Sequence, residues 1–134
     1  MNVIQGVVVV VHREGRFLMI QRAPHILAGG AWCFVGGGIE PGETQEAAVV
    51  REFREEVGGG VRPIGKVWEY TRPDGMLILH WWLADLEDDA LTLNLEEVTQ
   101  CRWCTPDEID TLTNVLESNR AFLREVGRAL LAPQ

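Results

Sequence analysis

Gly37-Gly38-Ile39-Glu40-Pro41-Gly42-Glu43 leads through Thr44 into a run that ends Arg51-Glu52-Phe53-Arg54-Glu55-Glu56-Val57-Gly58, and this stretch decides the fold. Thr44 offers an N-cap oxygen, and Gly58-Gly59-Gly60 supplies a stop, so the spacing predicts a helix that ends at Val57. Val49, Phe53 and Val57 recur at i, i+4 and i+8 and form one apolar stripe for a core. At about 100° per residue, Glu52 lies about 40° from Glu56 and about 60° from Glu55, so all three carboxylates share a broad face. Like charges so close destabilise a helix unless something positive faces them. Arg51 and Arg54 offset part of that repulsion. Taken alone, the three acids fit either a solvated face or a site for a hard divalent cation, which takes oxygen ligands and bridges to phosphates.

Working outward, Val3 to Val11 and Phe17 to Gln21 are apolar runs joined through a turn at Glu14-Gly15, a strand–turn–strand pattern. From Pro24 to Gly42 two prolines and six glycines predict a long loop, with one short strand around Trp32 to Val35. Val61 to Thr71 and Met76 to Ala84 flank Arg72-Pro73-Asp74-Gly75, which predicts a hairpin. Leu91 to Leu95 and Val98 to Cys104 are read as further strand. Thr105-Pro106-Asp107-Glu108 has the order of a capping box that opens a short helix. An amphipathic helix from about Val115 to Leu131 closes the sequence.

The sequence has 134 residues, 12 Lys+Arg and 20 Asp+Glu, for a formal charge of −8, and 46% of it is hydrophobic. That length and balance predict one globular domain over residues 1–134. The acidic surplus opposes wrapping by nucleic acid, which needs clustered Lys and Arg. The longest early apolar run, Val7 to Val11, is far short of the ~20 residues that span a bilayer. The expected setting is therefore cytoplasmic, with no membrane partner. Cys33, Cys101 and Cys104 lack framework spacing and read as free thiols.

Gly37-x5-Glu43-x7-Arg51-Glu52-Phe53-x-Glu55-Glu56-x-Gly58 resembles the signature G-x5-E-x7-R-E-U-x-E-E-x-G-U of the Nudix hydrolases, where U is bulky and apolar. Every fixed polar and glycine position matches. The resemblance extends to the two leading strands, to Trp32 before the glycines, and to the Glu97…Arg102-Trp103…Pro106-Asp107-Glu108 segment. Two positions depart from the pattern and bear on loop geometry: Gly59 stands at the last apolar position, and Val35 where the family commonly has proline.

The resemblance implies an α/β/α sandwich with a mixed central sheet, the acidic helix on one side and the C-terminal helices on the other. It implies Mg²⁺ or Mn²⁺ as cofactor and a small-molecule nucleotide diphosphate derivative as substrate, with a homodimer as an admissible assembly. Glu52, Glu55 and Glu56 correspond to metal-facing carboxylates, with the Gly36 carbonyl as a further ligand. Glu43 and Arg51 correspond to their supporting partners, and Glu52 is the first choice of base. An acid outside the signature serves in some members; Glu97 is best placed here, then Glu96, although an ordinary acidic loop fits both. Arg22 is a candidate for phosphate, or a surface arginine. Trp68, Tyr70, His80 and Trp82 are candidates for stacking a nucleobase, with packing against a helix as the other fate open to them. The implied reaction acts on a nucleoside triphosphate first, with ADP-ribose, a nucleotide sugar or a dinucleoside polyphosphate as alternatives. A non-catalytic nucleotide-binding module is the competing class.

Overall fold

The computed structural model describes residues 2–132; residues 1, 133 and 134 of the expected domain lie outside the described residues. A four-stranded mixed sheet is built around β1 (Ile4–Val10). It pairs antiparallel with β5 (Val35–Gly38) on one side and parallel with β7 (Leu77–Leu86) on the other, and β6 (Val61–Thr71) pairs antiparallel with β7 at the far edge. A second sheet centres on β3 (Arg16–Arg22), flanked by β2 (His12–Arg13), β4 (Trp32–Cys33) and β8 (Val98–Cys104). The strands thus divide between two sheets.

Helix α1 (Gln45–Val57) forms as its caps dictate. Thr44 stays extended and its Oγ1 accepts from Ala47 N–H at 3.1 Å, while Gly58 takes φ 73°, a left-handed turn that glycine enters without a Cβ penalty. Ala48, Val49, Phe53 and Val57 are fully buried against Val7 and Val9. The intervening Val8 and Val10 face the opposite layer, which explains why the valine run is unbroken: both faces of β1 are covered. That other layer is C-terminal. Helix α2 (Pro106–Thr111) begins with the expected Thr105–Glu108 capping box; α3 (Glu117–Phe122) runs through a π turn at Leu123–Gly127 into α4 (Arg128–Leu131). The α/β/α layering is therefore present. Phe122 anchors this side, stacked on Trp81 at 4.4 Å and in edge contact with Phe34 at 5.4 Å.

Three sequence readings are corrected. Gly36-Gly37-Gly38 belongs to strand rather than loop, paired with Val8, Val7 and Gly6 of β1. A Cβ at Gly36 would stand 2.5 Å from Val7 O, so the sheet itself requires glycine there. Leu91 to Leu95 is not a strand, because its amides at Thr92 and Asn94 are taken by carbonyls of α1 at Val57 and Glu56. The last helix begins at Glu117; Val115 instead bridges to Trp32.

Phe122→Ala removes the ring that four aromatic side chains contact, and the expected loss is about 3–5 kcal/mol of stability, read from the urea midpoint. A loss below about 1 kcal/mol would contradict this anchoring role.

Candidate functional site

Helix α1 presents Glu52 and Glu56 to the glycines of β5. The Glu52 carboxylate sits where a Cβ of Gly37 would be, and the Glu56 carboxyl lies beside the Gly36 backbone N–H. Glu56 is only 5% exposed, and its buried Oε2 faces no N–H donor among the described residues. Burial, followed by the nearby charges of Glu52 and Glu97, pushes its carboxyl up to about 9. Burial raises Glu52 as well, against the opposing influence of Arg51.

Arg51 holds the neighbouring acids in place. Its Nε and Nη2 donate to the two oxygens of Glu43, each at 2.8 Å, a bidentate pair that drives the Glu43 carboxyl down to about 2. Nη1 donates to Glu52 at 2.8 Å and to Glu55 at 3.2 Å, and Nη2 also reaches Gly38 O at 2.8 Å. Glu43 in turn accepts from Glu40 N–H, which closes the loop onto the helix. Among the described residues no three ligating side chains converge on one point, and Arg51 engages both Glu52 and Glu55. The donor set nevertheless suits a hard divalent cation: it is all oxygen and crowded with carboxylates, with one buried oxygen lacking any partner.

Across β5 lies a cavity of about 420 Å³, bounded by Gly36 and Gly37, the Val8 and Leu79 side chains, Phe34, Arg22 and Asn119. Arg22 ends β3 with its Nε on Leu27 O at 2.8 Å, and its charge reaches Glu56. Asn119 is 3% exposed; its Oδ1 accepts from Phe34 N–H at 2.8 Å and its Nδ2 donates to Ser118. The sequence reading missed Asn119. The available signal was a polar residue on the apolar stripe between Leu116 and Phe122.

The aromatic candidates lie elsewhere. Trp68 and Tyr70 pack on the layer of Trp81 and Phe122, with Trp68 5.3 Å from Trp81. His80 and Trp82 face α1, where Trp82 Nε1–H donates to Gln45 at 2.9 Å. None of the four borders the cavity, and they do not form one wall. His80 is buried, with Nδ1 2.8 Å from Lys66 Nζ and Nε2 2.7 Å from Gln5 Oε1. Lysine only donates, so Nδ1 accepts and the proton rests on Nε2. Burial and the Lys66 charge lower its pKa and keep it neutral.

The NUDIX domain family model matches residues 3–126. The chain is 34% identical to a CTP pyrophosphohydrolase of Escherichia coli over 108 residues, 81% of this chain and 80% of that protein. It is 31% identical to an RNA pyrophosphohydrolase of Erythrobacter litoralis, covering 92% of this chain and 85% of that one. Its fold matches the crystal structure of a MutT protein from Methanosarcina mazei with a TM-score of 0.81 at 21% identity, over 96% of each chain.

Because the Glu56 carboxyl is raised from 4.5 to about 9, the fold favours its protonated form; the associated stability is full below pH 4.5 and declines as pH climbs toward 9. Glu56→Gln stays neutral and escapes this decline. In chelator at pH 8 its Tm is expected at least about 5 °C above that of the parent, a gap that closes near pH 4. A variant Tm at or below the parent's at pH 8 would contradict the assigned burial.

Proposed function

This chain belongs to the Nudix hydrolases, enzymes that act on pyrophosphate bonds, and on that basis we propose a single-domain, Mg²⁺- or Mn²⁺-dependent hydrolase of nucleoside triphosphates, releasing a nucleoside monophosphate and pyrophosphate. The observation that carries this reading is Glu56 Oε2, buried beside Glu52, with no N–H donor facing it among the described residues and within electrostatic reach of Glu97. Such crowding of carboxylates is relieved by a divalent cation. Glu52, Glu56 and Glu97 would hold it, joined by Glu55 and the Gly36 carbonyl. When bound, the cation neutralises charge on the diphosphate and lowers the pKa of a water.

Glu52 takes the proton of the attacking water, whose oxygen forms a bond to phosphorus as the bridging P–O bond breaks toward the leaving pyrophosphate. Arg51 keeps Glu52 aimed at β5 and keeps Glu43 ionised, which holds the loop ahead of α1 in shape. Arg22, between the cavity and Glu56, contacts phosphate. The base enters the cavity, where Asn119 retains one Nδ2 hydrogen and one Oδ1 lone pair beyond the bonds it already makes. A triphosphate is favoured by the likeness to the CTP pyrophosphohydrolase. A net charge of −8 disfavours a long RNA backbone.

Phosphate release, with pyrophosphatase added, from nucleoside triphosphates, ADP-ribose, nucleotide sugars and dinucleoside polyphosphates tests the reading, with a phosphatase coupled for phosphomonoester products. Cleavage of triphosphates that stops in chelator is expected; cleavage of another class instead would overturn the substrate assignment, and tight nucleotide binding without turnover would indicate a binding module. Glu52→Gln is expected to stay folded and to lose at least ~100-fold in kcat. Near-normal turnover in that variant would remove Glu52 from its role.

A further inference from the structure

The position after Gly58, bulky and apolar in the signature, is a buried glycine here. Gly59 has no positive φ, so its backbone admits any residue, and only the surrounding space keeps a side chain out. Leu91 takes that space: a Cβ on Gly59 would lie 2.6 Å from Leu91 Cδ2 and 3.2 Å from Phe53 Cε2. Leu91 belongs to the segment between β7 and β8, and that segment is strapped across the end of α1. Thr92 N–H donates to Val57 O at 2.8 Å and Asn94 N–H to Glu56 O at 2.9 Å, which satisfies carbonyls that a helix terminus leaves open. Gly58 permits the approach, since a Cβ there would stand 2.5 Å from Thr92 O. Beyond the strap, Asn94 O accepts from both Glu97 N–H and Val98 N–H, and Glu97 O accepts from Ala23 N–H at 2.8 Å, next to Arg22.

From this chain of contacts we infer that Leu91, seated over Gly59, is a positioning residue that sets where the Glu97 carboxylate stands relative to Glu52 and Glu56. The apolar plug of the helix end has moved from the helix to the strap, so filling the socket and delivering the acid have become one event. The inference rests on the reading that Glu97 serves the cation. Simple core filling by Leu91 would affect stability alone, whereas positioning affects the cation through Glu97.

The test is Mn²⁺ affinity of the full chain, followed by electron paramagnetic resonance without substrate, together with Tm in chelator. Glu97→Gln is expected to weaken Mn²⁺ about tenfold, and Leu91→Ala by a comparable factor. The double variant should be no weaker than Glu97→Gln alone, because Leu91 acts through that carboxylate. Gly59→Ala, which keeps the plug but crowds it, should weaken Mn²⁺ in the parent and have no effect once Leu91→Ala has emptied the socket. Unchanged Mn²⁺ affinity in both Leu91→Ala and Gly59→Ala, or additive losses in the double variant, would overturn the inference while leaving Glu97 in its role. An unchanged affinity in Glu97→Gln would overturn both.

Discussion

Carboxylates pressed against a strand of glycines are the constraint on which the rest of the structure depends. Glu52 lies over Gly37, a proximity available only because that strand residue carries no side chain, and Glu56 lies beside the amide of Gly36. Gly36 is required by the sheet instead, because a Cβ there would stand 2.5 Å from Val7 O, so adjacent glycines serve the site and the pairing of β5 with β1. Arg51 makes the arrangement tolerable. Its planar fork supplies donors to Glu43, Glu52, Glu55 and the Gly38 carbonyl, leaving Glu56 as the acid with a buried oxygen that no donor among the described residues satisfies.

The proposed function follows from what lies on the two sides of β5. The α1 side gathers negative charge, and the other side offers an apolar cavity with one buried amide and one arginine at its border. The proposed nucleoside triphosphate would place its flat base in that cavity and its anionic chain toward the carboxylate side. Phe122 anchors the far layer and Phe53 is buried in the near one, and Asn119, hydrogen-bonded to the Phe34 amide, ties α3 to the strand end that borders the cavity.

The acidic helix was readable from sequence because caps, stripe and carboxylate spacing are all local: Thr44, Gly58 and the Glu52–Glu56 interval depend on neighbours within one or two turns. The cavity was not, because Asn119 meets Phe34 across 85 residues of chain. The aromatic residues show why alternation is insufficient. Trp68 with Tyr70 and His80 with Trp82 do share faces in pairs, but the register of β6 shifts between Lys66 and Trp68, so Lys66 faces His80 while Trp68 turns to Trp81. The alternating leucines of Leu91–Leu95 mimic a strand, yet Leu91 fills the socket at Gly59 and Leu95 is exposed; the residue that decides the matter, Gly59, is distant in sequence.

The central claim is that the buried acid of α1 is a cation ligand. Anomalous diffraction from crystals equilibrated with Mn²⁺ tests it most directly: the account predicts a peak bonded to Glu56 Oε2 and a Glu52 oxygen, and hydrolytic crystals with Mn²⁺ bound elsewhere, or with no peak at Glu56, would contradict it.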